Sequence, residues 1–356
     1  MELHPAAAVV AHAPAPAPTP GAEARPEVAV VVPAHRDSPE FRRCLAALQA
    51  CDPAPCELVV VVDGADPEVG ATARAAGAKV IDLDVPGGPA RARNVGAAAS
   101  TAPVLYFVDS DVEVPPDAVA AVSRYLGAHP EVDAIIGSYD AAPPAPGMIS
   151  QYKNLLNHRV HQQARVEATT FWGACGAVRR EAFEGVGGFD QRYTRPCVED
   201  IELGYRLRAA GRRIHVVKGL QVKHLKRWTA RSLLRADVLD RAIPWSELIV
   251  EREGLTDDLN ISRIQRVKVL TALIALTGAA GSVFSRRSGQ GAFTAMVVLM
   301  ILDARLAGFF LRRGGSRFAV VALLWHWSSY LYSAVSFGAV AVRSRARSPA
   351  GTGQRR

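Results

Sequence analysis

Val104-Leu105-Tyr106-Phe107-Val108-Asp109-Ser110-Asp111 is an unbroken apolar run that ends in two carboxylates two positions apart. A continuous run of this kind reads as a strand covered on both faces, and open α/β sheets bind ligands at the carboxyl ends of such strands. Two acids at that place, a turn before Pro115, can hold a divalent cation that in turn neutralises a diphosphate. Spacing alone carries little. The chain has 18 Asp, so about one Asp-x-Asp arises by chance, and Asp82-Leu83-Asp84 is a second. What separates Asp109 and Asp111 from that background is their place at the end of the most hydrophobic strand, with a capped, solvated turn as the alternative.

Working outward, Val28 to Val32, Leu58 to Val62 and Lys79 to Leu83 are further apolar runs of strand length. Between the first two, Ser38 can cap a helix, Pro39 fits its first turn, and Phe41, Leu45 and Leu48 share one face. Strands alternating with helices predict an α/β fold, a mainly parallel sheet with helices on both faces. After Gly137 the order loosens. Pro143 to Gly147 reads as a loop, Gln151 to Val166 and Val198 to Ala210 as helices, and Arg213 to Val217 as a strand.

Other strand ends also offer polar groups. Asp63 closes Leu58 to Val62 and precedes Gly64, which suits either hydrogen bonds to a base or ribose or a plain Asp-Gly turn. Pro33 and His35 leave the first strand in a similar position. Gly87-Gly88-Pro89 opens a helix that carries Arg91, Arg93 and Asn94, a start suited to phosphate contacts or else a solvated basic helix. Further on, Trp172 beside Gly173 offers an aromatic face for a sugar or an ordinary core residue. Gly188, Phe189 and Asp190 form a turn, and Glu199 and Asp200 begin a helix, where acids either cap or act as a base.

The formal charge of +8 is unevenly placed. From Ile261 onward 14 of the 42 Lys/Arg face one acid, Asp303, so the tail carries +13 and the first 260 residues −5. That split argues against a nucleic-acid-binding body and for a basic tail beside anionic lipid. Five cysteines without a CxxC pair argue against a disulfide framework or zinc site and suit a reducing compartment. Residues 1–26 read as a disordered Ala/Pro-rich leader and residues 346–356 as a basic disordered tail. Between 259 and 345 lie apolar blocks at Val267 to Phe284, Gly291 to Leu311 and Phe318 to Val342, which predict two to three transmembrane or interfacial helices. Arg263, Arg266 and Lys268 flank the first block, which places the preceding domain on the cytoplasmic side of the cell membrane.

Taken in order, Asp63, the Arg91-Ala92-Arg93-Asn94 helix start, Asp109-Ser110-Asp111, Gly187-Gly188-Phe189-Asp190 and Glu199-Asp200 resemble the family 2 glycosyltransferases with their GT-A fold. The resemblance covers Val28 to Trp228 and implies a GT-A domain over residues 27–258. It further implies a nucleotide-sugar donor, with Asp63 on the base, and Asp109 and Asp111 holding the diphosphate through Mg²⁺ or Mn²⁺. Asp200 would be the general base for an acceptor hydroxyl, with inversion, and Gly187 to Asp190 would line the acceptor side. Processive synthases of the family carry Gln-x-x-Arg-Trp, where this chain has His224-Leu225-Lys226-Arg227-Trp228. Arg227 and Trp228 keep the diphosphate or acceptor contact open, while the missing Gln argues against processive synthesis. Asp109-Ser110-Asp111-Val112-Glu113 also departs from the Asp-x-Asp-Leu-Gln of many polyprenyl-phosphate mannosyltransferases. The expectation is a membrane-associated inverting glycosyltransferase acting on a lipid or small-molecule acceptor. Its rivals are a small processive polysaccharide synthase and a non-catalytic sugar-nucleotide-binding membrane protein.

Overall fold

The computed structural model describes residues 27–64, 66–251 and 262–347. The leader, the domain boundary near Asp258 and most of the basic tail lie outside the described residues. The chain begins with β1 (Val28–Ala34), α1 (Pro39–Gln49), β2 (Glu57–Asp63), α2 (Pro67–Ala75), β3 (Lys79–Leu83), α3 (Gly88–Ala98) and β4 (Val104–Val108). The first helix starts as its sequence requires, with Phe41 N donating to Ser38 Oγ at 3.1 Å.

Next come β5 (Val112–Glu113), α4 (Ala118–Ala128), β6 (Ala134–Tyr139), α5 (Met148–Gln163), β7 (Glu167–Ala168), β8 (Cys175–Arg179), α6 (Arg180–Gly185), α7 (Glu199–Ala209) and β9 (Ile214–His224). One nine-stranded sheet runs in the order β3-β2-β1-β4-β8-β6-β9-β5, with β7 beside β9. The expected parallel order holds from β3 to β4 and again between β6 and β9. It reverses at β8, which lies antiparallel between β4 and β6, so the sheet is mixed. The Trp/Gly-rich sequence around β8 hides that strand because its residues Cys175, Gly176 and Ala177 are small.

Both faces of the sheet are covered. Val28, Val30 and Val32 of β1 with Tyr106 and Val108 of β4 pack against α1 and α4, while Val31, Leu105 and Phe107 face α3, α6 and α7. The alternation is the two-residue period of a strand, and covering both faces is why these runs are continuously apolar.

After β9 follow α8 (Ala230–Arg235), a π-helical segment (Ala236–Ala242), α9 (Ile243–Glu251), α10 (Arg263–Gly281), α11 (Arg286–Leu302) and α12 (Ala304–Arg347). Two of these, Arg263–Gly281 and Ala304–Ala346, are long and apolar enough to cross a membrane. The second expected block does not form one helix. It breaks at Asp303, which caps α11 and is 1 % exposed. Its carboxylate accepts from Lys268 Nζ at 2.7 Å and Trp327 Nε1 at 3.0 Å, so the charge is paired within the helices. A second break comes at Gly315, whose φ of 75° no residue with a Cβ adopts cheaply.

Candidate active site

The site forms where β4 and β9 end and β8 begins, beside the starts of α3 and α7. Gly88 (φ 83°) lets the chain turn into α3, where a Cβ would come within 2.4 Å of the Thr194 backbone. Asp63 holds that turn from the end of β2. Its Oδ1 accepts from Gly87 N at 2.7 Å and its Oδ2 from Gly88 N at 2.8 Å, so the strand end and helix start are joined through one carboxylate.

Arg93 is the centre of charge. It is 3 % exposed, donates through Nη2 to Asp109 Oδ1 at 2.6 Å and through Nη1 to Glu199 Oε1 at 2.9 Å, and lies over the Phe189 ring. One guanidinium thereby spans the acids of the β4 end and the α7 start, a geometry that suits its planar fork. Gly173 stands against it because a Cβ there would meet Arg93 Cζ at 2.8 Å.

Asp200 has one oxygen on Gly173 N at 3.1 Å and the other on Ile201 N at 2.8 Å. Burial and the neighbouring Glu199 raise its pKa to about 6, against the opposing pull of Arg93. Glu199 is occupied on both sides, since its second oxygen accepts from Cys197 N at 2.8 Å. Asp200, with its pKa near 6, is matched to taking a proton near neutrality, while both oxygens of Glu199 are already engaged.

Burial shifts Asp109 upward with the proximity of Asp111, while Arg93 opposes the change. In Asp111 burial is outweighed by His224 and Lys226, which hold its pKa at about 2. His224, at the end of β9, brings Nε2 to 3.5 Å from Asp111 Oδ2, and its Nδ1 meets Asn154 Oδ1 at 2.9 Å. With Nδ1 on the Asn154 amide oxygen, Nε2 is left facing Asp111, where it can either donate to the carboxylate or join it on a cation. Among the described residues no three of His, Cys, Asp and Glu form a ready metal cluster. The donor types nevertheless fit a divalent cation: two carboxylates and an imidazole oriented by a second residue.

The other expected residues sort by their contacts. Asn94 spends both ends of its amide on Phe189, accepting from its N and donating to its O, each at 2.8 Å. Phe189 is 2 % exposed and packs on Phe107 and Phe183, so this pair fixes the Gly187–Asp190 turn from inside. Asp190 is held by Arg192, and Arg91 donates to Val85 O at 3.0 Å. Trp172 is half-buried, edge-on to Tyr139 at 4.7 Å and beside His161 at 4.6 Å, next to Gly173 and hence next to Asp200. Pro33 and Ser110 are half-buried, and His35 and Arg227 are exposed. Trp228 is tied through its backbone to Ser150 on α5.

His224, Asn154 and Tyr139 are site residues that sequence reasoning missed. Tyr139 stacks on the His224 ring at 4.8 Å. The available signal was His224 itself, which stands at a strand end where the expected Gln-x-x-Arg-Trp pattern would have its Gln. Asn154 gives no such signal, since it lies in an otherwise ordinary helix.

A mixed α/β sheet with acids gathered at its strand ends, a guanidinium between them and a raised carboxyl at a helix start defines a glycosyltransferase of the GT-A type. The chain belongs to the glycosyltransferase like family 2, whose family model matches residues 26–263. It is similar to validoxylamine A glucosyltransferase of Streptomyces hygroscopicus subsp. limoneus, 28 % identical over 245 residues, covering 59 % of this chain and 53 % of that protein. It is also similar to the O-antigen biosynthesis protein RfbC of Myxococcus xanthus, 39 % identical over 82 residues, covering 23 % of this chain and 6 % of that protein. The chain thus spans about half or less of the length of these relatives. In fold it resembles the mannosyltransferase PcManGT from Pyrobaculum calidifontis, solved in complex with GDP-Man and Mn²⁺. The two share a TM-score of 0.55 and 17 % identity, over 88 % of this chain and 87 % of that one.

Proposed function

We propose that this family 2 glycosyltransferase is membrane-attached and moves one sugar from a nucleotide-sugar donor to the hydroxyl of a lipid-linked acceptor, with inversion. The observation that carries the reading is the pairing of Asp200, raised to about 6, with the separately held acids Asp109 and Asp111 across Arg93. Inverting transfer needs one base on the acceptor side and a separate place for the leaving diphosphate, and the two functions here sit on different elements, α7 and the β4 end.

Asp200 takes the acceptor proton, oriented for it by Gly173 N–H. Arg93 stays charged between Asp109 and Glu199 and offsets part of the rise that burial and Glu199 cause in Asp200. Asp109, Asp111 and His224 are the residues that would hold Mg²⁺ or Mn²⁺. Such a cation, when bound, supplies positive charge against the departing diphosphate. Trp172 offers its ring to a sugar next to the base.

Attachment to the membrane rests on the outward faces of α10 to α12. Leu270, Ile274, Phe293, Ile301, Val320 and Val335 are each about half exposed or more, and among the described residues no second layer covers them. The basic flank of α10 favours the cytoplasmic side of the cell membrane. Single addition is favoured over processive synthesis by His224 in the place of Gln.

The test supplies membranes carrying the full chain with Mn²⁺ and a panel of labelled nucleotide sugars. One of them should label a lipid extractable into organic solvent, with one sugar per acceptor and inverted configuration. Sugar polymer would favour the processive rival. Donor binding without transfer to any acceptor would overturn the catalytic reading.

A further inference from the structure

The break at Gly315 opens a cleft of about 420 Å³ between the start of α5 and α12. Met148, Leu155 and Phe318 line it with apolar surface, Arg313 and Arg317 with guanidinium groups, and Gln151 with an amide. The amide is already used, since Gln151 Nε2 donates to Pro143 O and Ala145 O, each at 2.9 Å, and so fixes the neighbouring loop. No carboxylate lines the cleft.

The charge lining the cleft is positive. Arg313 lies over the Phe309 ring, as does Arg159 of α5, and among the described residues neither Arg313 nor Arg317 pairs with an acid. Burial together with the nearby charges of Arg312 and Arg305 lowers the pKa of Arg159, the response of a cation crowded by cations. A protein leaves such a cluster unpaired at little cost where an anion arrives from outside. Arg317 also directly precedes the apolar run from Phe318 to Val342, so in a bilayer the cleft would lie at headgroup depth. Gln151 and Asn154 are three residues apart on α5, about 4.5 Å of axial rise, and Asn154 holds His224 of the active site.

We propose that this cleft is the binding site for a phosphate-headed lipid, its head on Arg313 and Arg317 and its chain along Phe318 and Leu155. Two unpaired guanidiniums over apolar side chains complement an anionic amphiphile and neither a neutral lipid nor a free anion. The inference rests on the membrane reading above and names the chemical class of the lipid that carries the acceptor hydroxyl.

The probe is dodecyl phosphate, added without donor to the full chain in phosphatidylcholine nanodiscs and counted as bound adduct by native mass spectrometry. One molecule should bind, with dodecanol and inorganic phosphate each at least ~10-fold weaker, because each lacks half of the match. Arg313→Gln with Arg317→Gln should weaken binding by at least ~10-fold. Met148→Trp, which fills the cleft and removes no charge, should do the same and covers the case in which the double variant fails to fold. Unchanged binding in Met148→Trp, or inorganic phosphate binding as tightly as the amphiphile, would overturn the proposal. Because no donor is present, failed binding leaves glycosyl transfer standing, and failed transfer leaves a positive binding result intact.

Discussion

Arg93 Nη2 stands 2.6 Å from Asp109 Oδ1, and this contact ties the end of the central strand to the helix that opens after the Gly-rich turn. The same guanidinium reaches Glu199 on α7. Removing it by Arg93→Leu leaves the buried Glu199 and the half-buried Asp109 without their cation, and we expect a loss of about 3 kcal/mol in urea unfolding. Arg93→Lys, which keeps the charge and loses the fork, should fall between. An unchanged unfolding midpoint in Arg93→Leu would show that the bridge is not what holds these elements together.

Asp200→Asn should lower kcat by about 10² or more while donor affinity changes little, since the amide keeps the shape and cannot take a proton. With the carboxyl raised to about 6, kcat should climb as pH rises to that value and level off above it. The variant should lack the climb. Equal losses in affinity and rate would identify Asp200 as a helix cap only.

The same shift predicts a stability effect of opposite sense. Asp200 ionises near 6 in the folded chain and near 3.8 unfolded, so the native state disfavours its charge. The resulting cost is fully present above about pH 6 and disappears as pH falls toward 3.8. Asp200→Asn should therefore raise Tm at pH 7.5 by about 2–4 °C, the effect of ~1 kcal/mol in a chain of this size, and the gain should shrink at pH 5. A lower Tm at pH 7.5 would contradict the assigned burial.

Excess EDTA should abolish transfer, and Asp111→Ala should do so without changing the fold, whereas the exposed Asp84→Ala should be active. Asn154→Ala removes the partner that orients His224, and should raise the Mn²⁺ concentration needed for half-maximal rate by about 10–100-fold. Full activity in EDTA excludes the metal assignment, and an unchanged Mn²⁺ requirement in Asn154→Ala removes His224 from it.

Gly204 on α7 faces backbone, not side chains: a Cβ would lie 2.2 Å from Phe171 N and 2.5 Å from Thr170 Cα. Gly204→Ala should push α7 away from the Phe171–Gly173 segment, destabilise the fold by about 1–3 kcal/mol, and lengthen the Gly173–Asp200 contact. Wild-type stability and turnover together would mean that α7 has slack in this position.

Local residue patterns were enough for the first four strands, the capped first helix, and the acids at the strand ends. A run such as Val104 to Val108 has few alternatives once both its faces must be covered, and a carboxylate directly after it has to emerge at the ligand-binding edge. The order of Asp63, Asp109, Asp111 and Asp200 then made the family resemblance readable before any contact was known. The antiparallel β8 was not legible in the same way, because small residues such as Gly176 and Ala177 carry no periodic signal. The partners were not legible either. Asn94 and Phe189 are 95 residues apart and hydrogen-bond to each other, and His224 meets Asn154 across 70. The break at Asp303 was visible as a charge in an apolar block, but its pairing with Lys268 depends on how α10 packs beside it.

The sequence by itself determined which segments are buried, which strand ends carry acids and where the long apolar helices lie, because burial and periodicity are local properties of the chain. Only the tertiary structure decided that Arg93 belongs to both Asp109 and Glu199, that Asp200 carries a raised carboxyl, and that His224 stands opposite Asp111. Those outcomes depend on distances of a few ångströms between residues far apart in sequence, and charge, desolvation and hydrogen bonding act over just such distances.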